Sequence, residues 1–257
     1  KATLRPPFPG EPGSESARCD LATIAFMSFF LDSFAAACRL VWALDPELFT
    51  IVRVSLSVSC LATLIAAAGG IPLGFLVAYG RVPGRRAIIT LLNTLLALPT
   101  VVIGLFVYMF ISRRGILGPL DLLYTQQAMI IGQVILIVPL IAALTVAAVS
   151  RVDERYRRTA QTLGAGPWQT ALVVLREGRF GIAAAVISAF GRVISEIGIS
   201  MMLGGNIKGF TRTMTTAMAL EYDKGAFTLA VALGLVLMAI SLGMNVVFNL
   251  VQGRAGR

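Results

Sequence analysis

Arg158-Thr-Ala-Gln-Thr-Leu-Gly-Ala-Gly-Pro-Trp168 is a polar, glycine-broken stretch set between two long apolar runs. Just before it, Asp153 and Glu154 suit a helix N-terminus, where the dipole favours acidic side chains, and Arg155 to Leu163 continue without a breaker. Gly164-Ala165-Gly166 closes that helix, since glycine turns to positive φ without steric cost. Pro167 supplies the fixed φ of a first helical position, and Trp168 to Arg176 run on as a second short helix. The segment 151–179 therefore reads as two short helices joined by a tight turn. Such a knob either docks in a groove of a partner or merely solvates and orients the chain. For docking, Ala160, Leu163 and Ala165 are small enough for close approach and Trp168 is large enough to anchor.

The runs around this knob belong in a bilayer. Hydrophobic residues make up 57% of the 257 and charged residues only 14%, with a mean hydropathy of +0.83; soluble chains carry about 25% charged residues. About 20 mostly apolar residues are needed to cross roughly 30 Å of hydrocarbon. Five blocks qualify, at about 50–79, 87–112, 127–150, 180–203 and 226–251. A further block at 21–44 carries Asp32 and Arg39, each costly at the bilayer centre. It reads either as a helix lying at the interface or as an additional span. Residues 1–20, interrupted by Pro6, Pro7, Pro9, Gly10, Pro12 and Gly13, read as a disordered tail.

Arginine and lysine set the orientation. With the first core span ending in the cytoplasm, the inner side holds eleven: Arg81, Arg85, Arg86, Arg151, Arg155, Arg157, Arg158, Arg176, Arg179, Arg254 and Arg257. The outer side then holds five, namely Arg113, Arg114, Lys208, Arg212 and Lys224. The positive-inside rule thus places the N-terminus outside and the C-terminus inside. The net charge of +9 follows from this asymmetry and does not point to nucleic acid. The bilayer lipid is the partner it implies.

Several chemistries are excluded by inventory. There is no histidine, and Cys19, Cys38 and Cys60 have no paired spacing, so no metal site is expected. Nucleophilic triads with histidine are impossible, and no phosphate-binding Gly-x-x-x-x-Gly-Lys-Ser/Thr loop occurs. The chain is not expected to be an enzyme or to hold a cofactor of its own. Whatever work it performs must be powered from elsewhere.

The stretch Thr159-Ala-Gln-Thr-Leu-Gly-Ala-Gly-Pro-Trp168 resembles the EAA loop of ABC-importer permeases, the coupling helix that sits in a cleft of the cytoplasmic ATPase. Ala160 and Gly164 hold that motif's final Ala and its Gly, and Val174 stands near its Ile. Arg158 replaces its Glu, Thr159 its first Ala, and Arg176-Glu177 stand where Leu-Pro is expected. The likeness extends over roughly 45–251. Asp45-Pro46-Glu47, Val54-Ser-Leu-Ser-Val-Ser59, Ile71-Pro-Leu-Gly74, Pro83-Gly-Arg85 and Leu98-Pro-Thr-Val-Val-Ile-Gly104 resemble the opening spans of molybdate, sulfate and tungstate permeases. Gly191-Arg-Val-Ile-Ser-Glu-Ile-Gly198, Met201-Met-Leu-Gly-Gly-Asn-Ile207 and Thr211-Arg-Thr213 resemble the tungstate branch.

The resemblance implies an all-α polytopic membrane protein with the type I ABC importer fold, residues 45–257 forming one permease domain. It further implies a homodimer with the path at the subunit interface, a soluble oxyanion-binding protein outside, and two ATPase subunits inside. ATP and magnesium would lie on those ATPase subunits, and the location would be the prokaryotic inner membrane. A molybdate or sulfate permease is the alternative within the family. An ion-coupled secondary transporter is the rival outside it, but that predicts inverted repeats and carboxylates within spans. Glu196 is the one acidic residue well inside a core span, and no repeat is evident.

Arg192 and Glu196 are four apart, hence on one helix face. The pair reads either as a clamp between helices or as an electrostatic lining of an anion path, Glu196 keeping the anion from being trapped. Gly204-Gly205-Asn206 marks the far end of this span. It is a vestibule or gate, with Thr211 and Thr213 as hydroxyl donors, or a plain connecting turn. Pro99 and Pro139 each remove a helical hydrogen bond, which kinks a span to make room for a path or simply shapes the packing.

Overall fold

The computed structural model describes residues 45–80 and 83–253, together with Phe34, Ala35, Arg39 and Trp42. The expectations for the 1–20 tail, and for the 21–44 helix beyond those four residues, lie outside the described residues. Within them the chain is helical and contains no strand. The helices are α1 (Pro46–Tyr79), α2 (Arg85–Leu96), α3 (Thr100–Ile111), α4 (Gln126–Ser150), α5 (Glu154–Thr162), α6 (Pro167–Glu177), α7 (Arg179–Ile194), α8 (Gly198–Gly204), α9 (Met214–Asp223) and α10 (Phe227–Gly253).

Three helices, α1, α4 and α10, are each long and apolar enough to cross a bilayer alone. The other two expected spans are broken: α2 and α3 bend by 96°, and α7 and α8 by 59°. At the first break Pro99 caps α3 in an extended conformation. Its ring excludes Leu98 from helical backbone and its nitrogen has no proton to donate, so the helix stops outright where only a kink was expected. Pro139, by contrast, sits inside α4 without interrupting it.

The second break contains no proline and is built from side chains. Ser195 Oγ donates to the Gly191 carbonyl (3.0 Å), Ile199 N–H donates to Glu196 Oε1 (3.3 Å), and Thr215 Oγ1 donates to the Glu196 carbonyl (2.9 Å). Away from water, backbone groups freed by a break must find such partners.

The centre of the bundle is the pairing of α1 with α4. Asp45 starts α1 by accepting from Glu47 N–H (2.8 Å) and Leu48 N–H (3.2 Å), with Pro46 in its first turn. Along α1 a buried ridge recurs every four residues, Val54, Val58, Ala62, Ala66, Gly70 and Gly74. It shrinks from valine to glycine as it approaches the α5–α6 end, so the two backbones converge there. A Cβ on Gly74 would lie 2.5 Å from the Ala142 carbonyl oxygen. One apolar core joins α1, α3, α4, α7 and α8, and a second joins the start of α1 to α7, α9 and α10.

Helix α9 is held by its N-cap, Thr213. Thr213 Oγ1 accepts from Thr216 N–H (3.4 Å), Thr216 Oγ1 pairs with Thr213 N–H (3.0 Å), and Ser55 Oγ of α1 accepts the next free amide, Met214 N–H (2.7 Å). Thr213→Val keeps the volume and removes the cap, and is expected to cost about 1 kcal/mol and lower the thermal midpoint by about 2–4 °C. An unchanged midpoint in a thermal unfolding scan would show the cap to be idle.

Candidate coupling hairpin and broken-span site

Helices α5 and α6 form the hairpin read from the sequence. Asp153 Oδ1 accepts from Arg155 N–H (2.9 Å) at the start of α5, and Arg158 pairs with Glu154 (2.9 Å) one turn on. Gly164 ends α5 at φ +82°, in the left-handed region, with open space where a Cβ would stand. Pro167 begins α6, and Gln169 Oε1 turns back to accept from Gly166 N–H (2.9 Å).

At the tip two large apolar side chains face outward, Leu163 at 82% and Trp168 at 80% exposure. Arg158, Thr159 and Gly164 are exposed beside them, and Ala165 and Gly166 are half-buried. Ala160 departs from the expected docking role. It is buried, and with Tyr156, Leu163 and Val173 it lines a recess between α5 and α6.

The base of the hairpin is fastened to the membrane spans. Val174 and Leu175 of α6 pack with Phe75 and Tyr79 at the end of α1, and with Val149 and Ile182 of α4 and α7. The Arg157 guanidinium lies 5.1 Å over the Tyr79 ring, which itself stacks on Phe75 at 5.3 Å. Arg85 ties the same corner, reaching the Val77 carbonyl (3.0 Å) and Ser150 Oγ (3.2 Å). Tyr156 is hydrogen-bonded to Glu177, and that bond with the carboxylate's negative charge holds the Tyr156 hydroxyl above its ordinary pKa. Tyr79 and Tyr156 were not picked out from the sequence, and Arg85 was read there only for its charge and for the Pro83-Gly-Arg85 likeness, because Arg157, Glu177 and Ser150 reach them from distant parts of the chain.

At the opposite end lies the α7–α8 break. Arg192 and Glu196 do form an ion pair, 3.8 Å apart, but not on one continuous helix, since α7 ends at Ile194. The Glu196 side chain is 3% exposed and the Arg192 side chain 48%. Glu196 is thus a buried carboxylate that both caps α8 and holds a half-open arginine.

Beyond α8 the chain turns through Gly205 at φ +68° and Asn206 at φ +52°. Gly205 is pressed against the Tyr124 ring, 2.7 Å from where a Cβ would sit. Together with Leu105, Tyr108, Met201, Met202 and Ile207, these two line a cavity of about 650 Å³ between α3 and α8. Pro99 does not line it; it stands at the other end of α3.

The hydroxyls expected as free donors are spent within the chain. Thr211 Oγ1 donates to the Gly204 carbonyl and accepts from Ile207 N–H (3.0 Å), while Thr213 caps α9. Asn206 Nδ2 donates to the Thr216 carbonyl (3.3 Å), and its Oδ1 is buried without a partner. No cluster of three or more metal-ligating side chains occurs among the described residues.

A bundle of three whole and two broken apolar spans, carrying a water-facing helical hairpin between its third and fourth spans, is the architecture of an importer permease. Two solved structures share it: the methionine ABC transporter MetNI in inward-facing conformations, with a TM-score of 0.64 at 17% identity over 85% of this chain and 99% of that one; and a bacterial ABC transporter for import of the acidic polysaccharide alginate, with a TM-score of 0.66 at 16% identity over 96% of this chain and 99% of that one. The model of the binding-protein-dependent transport system inner membrane component family matches residues 70–257, and the chain belongs to that family.

Among its relatives, the tungstate uptake system permease protein TupB of Peptoclostridium acidaminophilum is 40% identical over 226 residues, 88% of this chain and 99% of that protein. TupB of Campylobacter jejuni is 35% identical over 86% of this chain and 92% of its own length. The molybdenum transport system permease protein ModB of Escherichia coli K12 is 30% identical over 68% of this chain and 79% of its own length. Members of this family are membrane components of transport systems and not enzymes in themselves.

Proposed function

We propose that this chain is the permease subunit of an ATP-driven importer of a tetrahedral oxyanion, tungstate before molybdate or sulfate. The hairpin carries the reading: an apolar tip of Leu163 and Trp168 held out in water has no use within the chain and fits a groove on a second protein. The names of the relatives supply the cargo. The hairpin end is the cytoplasmic one, in keeping with the six arginines at 151–179, and the α8–α9 end faces outward.

In this reading two ATPase subunits, which bind ATP and magnesium, dock on the hairpins of a homodimer. A soluble binding protein delivers the anion to the outer end. Closure of the ATPases pulls the hairpins, and the Arg157–Tyr79–Phe75 stack passes that movement into α1. Glu196 holds Arg192 so that the path attracts an anion without retaining it.

The test is ATP hydrolysis by the complex of this chain with its ATPase, with and without binding protein loaded by tungstate, molybdate or sulfate, for the native chain and Gly164→Asp. The variant forces a side chain into the left-handed turn at the tip. Stimulation by tungstate that vanishes in the variant is expected. Failure of any ATPase to co-purify would overturn the importer reading and favour an ion-coupled transporter.

A further inference from the structure

On the outward end, one carboxylate is shared by two cations. Glu47 Oε2 lies 2.7 Å from Lys208 Nζ, and Glu47 Oε1 lies 3.6 Å from the Arg212 guanidinium. Glu47 belongs to the first turn of α1, whereas Lys208 and Arg212 belong to the loop that follows α8. The cluster therefore ties the start of the first span to the loop beside the broken one.

Its charges do not balance. Two positive charges face one negative charge, and Glu47 is the only carboxylate within 4 Å of either cation among the described residues. The Arg212 side chain is 11% exposed, and its Nε is buried with no hydrogen-bond acceptor. A buried guanidinium donor left bare is costly, so this arginine is under-satisfied by the carboxylate it has. Lys208, at 66% exposure, can swing, and it stands between Gly205 at φ +68° and Gly209 at φ +77°. Arg212 is the fixed member: its amide donates to the Ile207 carbonyl (3.0 Å), and neighbouring Thr211 is tied to Gly204.

We propose that Lys208 and Arg212 form a receiving site for a tetrahedral oxyanion dianion, which Glu47 occupies at rest as a built-in carboxylate and which the arriving anion takes by displacing it. A dianion balances both cations, where Glu47 balances one, and with Glu47 displaced its additional oxygens are the acceptors that the bare Arg212 Nε lacks. Displacement also unties the loop from α1, so arrival of cargo loosens the outer loop next to the α7–α8 break. This rests on the oxyanion-importer reading.

The experiment measures equilibrium binding of radiolabelled tungstate to the permease–ATPase complex in lipid nanodiscs without binding protein. Glu47→Gln removes the competing carboxylate and its two ion pairs and is expected to tighten binding by about tenfold, which is about 1.4 kcal/mol. Adding Lys208→Gln or Arg212→Gln to it is expected to abolish that gain, and Arg212→Lys to retain part of it. Where Arg212→Gln fails to assemble, the exposed Lys208 variant carries the test.

Unchanged or weaker tungstate binding in Glu47→Gln overturns the proposal. So does a gain in affinity for the binding protein, loaded or empty, with none for free tungstate; the cations would then receive a carboxylate of that protein. If loaded binding protein stimulates ATP hydrolysis in the native complex while Glu47→Gln leaves tungstate binding unchanged, the receiving site alone fails. If no anion stimulates hydrolysis at all, the importer reading itself fails.

Discussion

Replacing Leu163 and Trp168 together by aspartate is expected to weaken capture of the ATPase at least about 100-fold while leaving the permease as stable as before. The two side chains are 82% and 80% exposed, so the fold loses almost no buried apolar area when they are removed. A partner's groove loses two anchors. Anchoring residues at interfaces contribute about 2 kcal/mol or more each, and aspartate adds the cost of a charge left in an apolar cleft. Every 1.4 kcal/mol is about tenfold in affinity, so even incomplete additivity leaves at least two decades. The measurement is titration of the ATPase onto the solubilised permease, with a thermal scan of the permease alone. Affinity within threefold of native, or a thermal midpoint that falls with it, would show that the hairpin tip is not the docking surface.

The second large effect lies in the bundle. Gly74→Ala adds one methyl group, and that methyl meets the Ala142 carbonyl oxygen at 2.5 Å and Thr145 Cβ at 2.7 Å. The obstacle is backbone of α4, which cannot rotate away as a flexible side chain can. Helices α1 and α4 must separate along their closest stretch, at a cost of about 3 kcal/mol or more. Gly69→Ala, five residues earlier on the same helix with nothing within 4 Å of its Cβ, is the matched control and is expected to be neutral or slightly stabilising. Yield of folded protein after detergent extraction and the thermal midpoint of both variants decide it. Equal behaviour of the two would show that the α1–α4 contact yields readily.

Much of the fold was legible in the chain. Unbroken apolar length alone located α1, α4 and α10, because a bilayer imposes one requirement on every residue of a span. The hairpin was equally plain, since Asp153, Gly164 and Pro167 act on their own backbone within a turn or two. The two broken spans were harder. Pro99 announced a disturbance but not a 96° break, and the α7–α8 break contains no proline to announce it. Its stability comes from Thr215, nineteen residues away, and from a glutamate that doubles as a cap.

The candidate sites divide in the same way. Arg158, Leu163, Gly164 and Trp168 are exposed on the hairpin while Ala160 is buried, because which face of α5 is buried depends on where α6 returns. Thr211 and Thr213 were read as donors from their type; only the folded loop shows their hydroxyls already taken by Gly204 and by α9.

What the sequence by itself determined is the material of this protein: the apolar spans, the arginine bias between them, and the glycine-turned hairpin. Each depends on composition or on neighbours a few residues apart. Only the tertiary structure decided which polar groups meet, as Glu47 with Lys208 and Arg212, Arg157 with Tyr79, and Glu196 with Thr215. The reason is that these partners are brought together by helix packing, and packing depends on the shapes of all the spans at once.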